Sequence, residues 1–127
     1  MRFDKKLAKN FLLDISFLII EIFFISVLYK DNLLLTTIVL ILSFSGIYFW
    51  HKKRYIILFL SGALLGPLAE IIAIHFGVWN YTNPTITGIP MWLPPAWGMA
   101  TVIINRFAEF MLLIHEKKAN YTIRLSR

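Results

Sequence analysis

The chain has 127 residues, of which 58% are hydrophobic and 16% charged, with a formal net charge of +6 and no cysteine. So apolar a composition leaves too little polar surface to cover a soluble core and points to lipid as solvent. Without cysteine, disulfides, thiolate nucleophiles, iron–sulfur clusters and thiolate zinc sites are excluded. The positive charge does not point to nucleic acid, because the basic residues form short clusters between apolar runs.

The first apolar run, Phe11 to Tyr29, follows a basic segment as a signal peptide would. Its length, its Asp14 and Glu21, and the lack of a small-x-small cleavage site before Lys30 make it a mature helix. Three further runs are long enough to span a bilayer as helices: Leu33 to Trp50, Tyr55 to Phe76 and Met91 to His115. The links at Lys30–Asn32 and His51–Arg54 are short, which forces antiparallel neighbours. The expected architecture is therefore all-α, one four-helix transmembrane domain over residues 1–127.

Eleven of the thirteen Lys and Arg residues lie on one side of this arrangement: Arg2, Lys5, Lys6, Lys9, Lys52, Lys53, Arg54, Lys117, Lys118, Arg124 and Arg127. Lys30 stands on the other side and Arg106 falls inside the fourth span. The positive-inside rule then predicts cytoplasmic termini in a cell membrane. Aromatic residues near span ends, including Tyr29, Tyr48, Trp50 and Tyr55, are expected to anchor at the headgroup level.

Five ionisable residues fall within the spans: Asp14, Glu21, Glu70, Arg106 and Glu109. Such residues are costly in hydrocarbon and are expected to face the bundle interior, a partner or the interface. Counted from the cytoplasmic helix ends, Glu21 and Arg106 share mid-depth, which makes a Glu21–Arg106 ion pair plausible as helix-pinning glue. Asp14 can reach Lys5 or Lys9, and Glu109 can pair with Arg106 one turn away or approach the cytoplasmic interface. Glu70 has no evident cation, so its carboxyl is expected to stay protonated and serve as a proton donor.

Glu70 sits among small residues and follows Pro67, which predicts a kink beside it. Gly62 and Gly66 form a GxxxG spacing suited to close helix association. The segment 77–90 carries no charge and is rich in turn residues and aromatics. It is expected to lie on the membrane surface or dip into it as a re-entrant lid. On the fourth helix Gly98, Thr101, Asn105 and Glu109 make a small, polar stripe expected to face Glu70, either binding a polar group or bridging helices. His51, His75 and His115 share no ligand spacing, so neither a metal nor a cofactor is predicted. The Asn-Tyr-Thr strings at Asn80 and Asn120 match the glycosylation acceptor pattern but stand at the membrane and in the cytoplasm, and are discounted.

The strings Gly66-Pro-Leu-Ala-Glu70, Phe76-Gly-Val-Trp-Asn-Tyr81 and Gly88-Ile-Pro90, with Trp97, resemble the carotenoid hydratase and lycopene-cyclase-like group of membrane proteins. The pattern differs in having one acid, Glu70, separated from Pro67 by Leu68 and Ala69, where the cyclases have an acidic pair. The resemblance implies acid-catalysed protonation of a polyene double bond, with Glu70 as catalytic donor and a homo-oligomer or membrane-protein partner completing the cavity. Trp79, Tyr81, Trp92, Trp97, Thr101 and Asn105 are the candidate isoprenoid- or lipid-binding residues. A small proton-coupled transporter using Glu21, and a non-catalytic accessory subunit, are the competing expectations.

Overall fold

A computed structural model describes residues 5–125, with side chains to Ala119, and the described residues form four helices and no strand. They are α1 (Lys5–Leu28), α2 (Asn32–Trp50), α3 (Lys53–His75) and α4 (Leu93–Leu125). Each contains a segment long and apolar enough to cross a membrane, which in α4 is Leu93–Ala119, so the chain is an integral membrane protein. Arg2, Arg127 and the side chains of Asn120 and Arg124 lie outside the described residues.

Local chemistry fixes the helix ends. Asp31 caps α2, its carboxylate accepting from the Leu34 N–H at 3.0 Å. At the other end His51 takes a left-handed conformation, φ 54°, and its N–H returns to Ile47 O, so that a two-residue link reverses the chain into α3. Gly77, at φ 73°, ends α3: its N–H donates to Ile74 O and that of Val78 to Ala73 O, the paired bonds of a Schellman motif. α3 runs through Pro67 without a break. Pro94 and Pro95 occupy the first turn of α4, where their missing N–H groups leave no helix bond unmade.

α4 is the central element and packs against each of the others. Its closest neighbour is α3, and small residues make that approach possible. A Cβ on Gly62 would overlap the Thr101 side chain and lie 2.6 Å from Trp97 O; one on Gly66 would enter the Trp97 ring; one on Gly98 would lie 2.8 Å from Phe59 O. The GxxxG spacing thus serves packing within the chain. α2 seats Leu35, Val39, Ser43, Gly46 and Trp50 inward at helical spacing. α1 packs on α2 and α4, and α1 and α3 do not pack against each other among the described residues.

The bundle has two ends. The termini end carries Lys5 and the α2–α3 link, and the loop end carries the α1–α2 link and residues 76–92. Segment 77–92 folds onto the loop end. Thr87 and Gly88, at φ 50° and 86°, form a tight turn closed by Ile86 and Ile89. Asn32 Nδ2 donates to Asn83 O and Thr85 Oγ1, while Asn83 Nδ2 donates to Lys30 O, which ties the segment to the start of α2. Ile89 and Trp92 then join Leu35, Val39, Leu93 and Ala96 in a buried cluster.

Candidate functional site

On α1 the two buried residues are both carboxylic acids, Asp14 and Glu21. They stand seven residues apart and so share a face, while Ile19, Phe23 and Val27 turn outward. This inverts the soluble pattern, as expected where lipid is the solvent. The two acids have different surroundings.

Asp14 belongs to a polar cluster near the termini end. Its Oδ1 accepts from Arg106 Nε at 2.7 Å and from Trp50 Nε1 at 3.0 Å. The Arg106 guanidinium lies 4.7 Å from the Trp50 ring centroid and 5.3 Å from that of Tyr55, and donates to Tyr55 Oη at 2.9 Å. Tyr55 Oη donates in turn to Glu109 Oε2 at 3.3 Å, and Glu109 Oε1 pairs with Arg54 Nη2 at 2.6 Å and accepts from Asn105 Nδ2. Every charge in this cluster has a partner, and all four helices contribute to it.

This arrangement corrects several expectations. Arg106 pairs with Asp14, not with Glu21, and Glu109 pairs with Arg54 instead of Arg106. The reason is depth. Measured from the loop end at about 1.5 Å per residue, Arg106 lies some 20 Å down α4 and Asp14 about 21 Å down α1, whereas Glu21 is only about 10 Å down. Counting from the other end misplaces Arg106 because α1 begins at Lys5 and α4 continues to Leu125, both beyond the apolar runs 11–29 and 91–115. Trp50 and Tyr55, read from sequence as interfacial anchors, are 8% and 0% exposed. The small, polar stripe of α4 does face α3, but Thr101 meets Gly62 and Asn105 accepts from Arg54, so neither is beside Glu70.

Glu21 has no such partner. It is 3% exposed, and its Oε1 makes no hydrogen bond among the described residues. Because α1 and α3 stand apart with α4 behind them, a groove of about 320 Å³ opens laterally between them. Glu21 lines it from α1 and Glu70 from α3, with Leu93, Ala96 and Trp97 as the floor. Tyr81 and Trp92 close it toward the loop end, their rings edge-on at 6.1 Å. Trp92 is 6% exposed and its Nε1, like Glu21 Oε1, is without a hydrogen-bond partner. Glu70 is half-buried and its Oε2 accepts from Trp79 Nε1 at 2.8 Å. Burial first, with the neighbouring Glu70 adding to it, pushes the Tyr81 hydroxyl up to about 12.

Of the residues singled out in the sequence, Glu70, Tyr81, Trp92 and Trp97 line one groove. Trp79 reaches the site through the Glu70 carboxylate, while Thr101 and Asn105 lie outside the groove. Glu21 is the groove residue that sequence reasoning assigned to an ion pair. The signal that could have found it is its distance from the loop end, which nearly matches that of Glu70 at about 8 Å. Tyr81 and Trp92 also line a second compartment of about 400 Å³ at the loop end, with Ser26, Asn80, Thr82 and Asn83.

Fold and site together define a four-helix integral membrane protein with a lateral, two-carboxyl groove. No family model matches the chain, and neither a curated protein nor a solved structure is significantly similar to it.

Proposed function

We propose that this protein binds an isoprenoid or other lipid chain in the lateral groove and acts on it through acid chemistry centred on Glu70. The observation that carries this reading is a groove of mainly apolar walls, between two membrane-spanning helices, whose lining includes two acids, Glu21 from α1 and Glu70 from α3. A chain entering from the bilayer needs no aqueous path, and the apolar floor matches it. A proton delivered from Glu70 to a carbon–carbon double bond leaves a carbocation, which the faces of Trp92 and Trp97 stabilise. Capture of that cation by water, with a proton returned to the carboxylate, completes a hydration; capture by a second double bond closes a ring and leaves a new cation, which loses a neighbouring C–H proton to the Glu70 carboxylate to complete a cyclisation. The Trp79 hydrogen bond holds the Glu70 carboxyl in place.

The reading extends to topology. Lys5, Lys6, Lys9, Lys52, Lys53, Arg54, Lys117 and Lys118 all belong to the termini end, which supports cytoplasmic termini in a cell membrane with the groove in the outer half. Single introduced cysteines, of which the native chain has none, report the side by impermeant labelling.

Lipid extracts from cells with and without the chain test the chemistry. Accumulation of a hydrated or cyclised lipid that disappears in Glu70→Gln is expected; identical profiles in all three strains would sink the proposal. A second reading, proton-coupled export of a lipophilic molecule, is favoured by the buried carboxyl of Glu21. It requires transport in proteoliposomes that depends on Glu21 and on a pH gradient.

A further inference from the structure

We infer that the cavity beside the polar cluster at the termini end binds an oxyanion, a phosphate or carboxylate group brought by an acidic lipid or by a soluble anion. The inference is independent of the groove and of what the groove holds.

Three cations surround the Tyr55 ring. Lys52 Nζ and the Arg54 guanidinium each lie 5.7 Å from its centroid, and the Arg106 guanidinium lies 5.3 Å from it. Tyr55 is fully buried, so the attraction of its ring for cations is little screened. Two carboxylates answer these charges: Asp14 pairs with Arg106 at 2.7 Å and Glu109 with Arg54 at 2.6 Å. Lys52 forms no ion pair among the described residues. Taken with Lys52, the cluster carries one positive charge more than it balances.

A cavity of about 160 Å³ lies where that surplus stands, lined by Lys52, Tyr55 and Arg106 and, from α1, by Asn10. It is ample for a phosphate or carboxylate group. A guanidinium has five N–H donors, and the bonds of Arg106 to Asp14 and Tyr55 use two. Lys52 and the Asn10 amide add further donors. Asp14 and Glu109 line the cavity too, but each is neutralised by its own arginine. A bound cation would meet three positive charges whose counter-ions are already taken, whereas an oxyanion matches both the surplus charge and the donors. Leu7 and Phe11 of α1 and Phe110 and Leu113 of α4 complete the lining, all from membrane-spanning helices. Apolar walls next to a basic wall favour a lipid source, with the chain in the bilayer and the head at Lys52.

Titration calorimetry of the full chain in neutral maltoside micelles tests this with three probes: inorganic phosphate, dioctanoyl phosphatidic acid, and the dioctanoyl glycerol that lacks the phosphate. Phosphatidic acid is expected to bind the native chain about tenfold more tightly than dioctanoyl glycerol, the discrimination of one charge-assisted hydrogen bond. Lys52→Gln should lower that affinity about tenfold, and Lys52→Arg should keep it within about twofold. Lys53→Gln removes the same charge from the neighbouring residue, which does not line the cavity, and should change the affinity by less than about twofold. Inorganic phosphate that binds as tightly as phosphatidic acid, with the same dependence on Lys52, would support the oxyanion site and assign it to a soluble anion. The inference is overturned if neither phosphate probe binds, if dioctanoyl glycerol binds as tightly as phosphatidic acid, or if Lys52→Gln and Lys53→Gln respond alike, which would mean diffuse surface charge. The probe comparison on the native chain needs no variant, and Lys52 is exposed, so its substitution leaves the buried core untouched.

Discussion

Tyr81 is the groove residue whose protonation behaviour is open to direct measurement. Its hydroxyl is raised to about 12 by burial first and by the neighbouring Glu70 second. A raised value means that the folded loop favours the neutral phenol. The resulting stabilisation is complete below about pH 10, where an unfolded tyrosine begins to ionise, and is lost as the pH passes 12. The difference between the alkaline absorbance titrations of the native protein and Tyr81→Phe should isolate one phenol with a midpoint near 12; a midpoint near 10 would mean that the loop does not cover this ring. The identity of such residues was readable in the sequence, since Glu70, Tyr81, Trp92 and Trp97 stand out as acids and aromatics around an uncharged loop. Their partners were not. Nothing in the chain's order indicates that Trp79 will donate to Glu70, or that Tyr55 will be sealed from the interface and bond Arg106 and Glu109.

At the scale of the helices, the α3–α4 contact is set by glycines whose neighbours differ in how far they can yield. An alanine Cβ at Gly62 would lie 2.6 Å from Trp97 O, a backbone atom, and would overlap Thr101 as well. At Gly46 the obstacles are the tip of Met99, at 2.9 Å, and the edge of the Trp50 ring at 3.0 Å. Met99 can rotate away, whereas the α4 backbone must move as a unit. Gly62→Ala should therefore cost about 1–3 kcal/mol. Gly46→Ala should cost measurably less, as read from unfolding midpoints in mixed detergent–SDS micelles. The reverse order would mean that α4 shifts freely against α3. Four helices were legible because each apolar run exceeds the bilayer requirement and the links between the first three are short. Their relative depth was not, because α4 runs about 50 Å at 1.5 Å per residue and overhangs the bilayer, so an end chosen for counting sets the register wrongly.

The two ends of the bundle differ in what joins the helices. Toward the termini end, Asp14 of α1, Trp50 of α2, Tyr55 of α3 and Arg106 of α4 meet in one hydrogen-bonded cluster. Toward the loop end, the groove lies between α1 and α3. Among the described residues α1 does not pack against α3, and it is joined to α4 by the Asp14–Arg106 pair together with Phe11, stacked on Phe110 at 4.1 Å. Both members of the pair are largely buried, at 7% and 12% exposure. Removing one member strands the other charge in a low-dielectric setting, a loss of about 3–5 kcal/mol in buried pairs, whereas removing both leaves no stranded charge. Asp14→Leu and Arg106→Leu should each destabilise the bundle strongly, and the double variant should recover much of that loss in a double-mutant cycle. Strictly additive losses would show that the pair does not act as a unit. The recovered double variant is also informative about the groove, because it restores charge balance without restoring the bridge from α1 to Tyr55 and Trp50. If the clamp sets the separation of α1 and α3, photolabelling of the groove by a diazirine-bearing alkane should fall in this variant even where its unfolding midpoint is near native. Unchanged labelling would assign the separation to the floor residues of α4 instead.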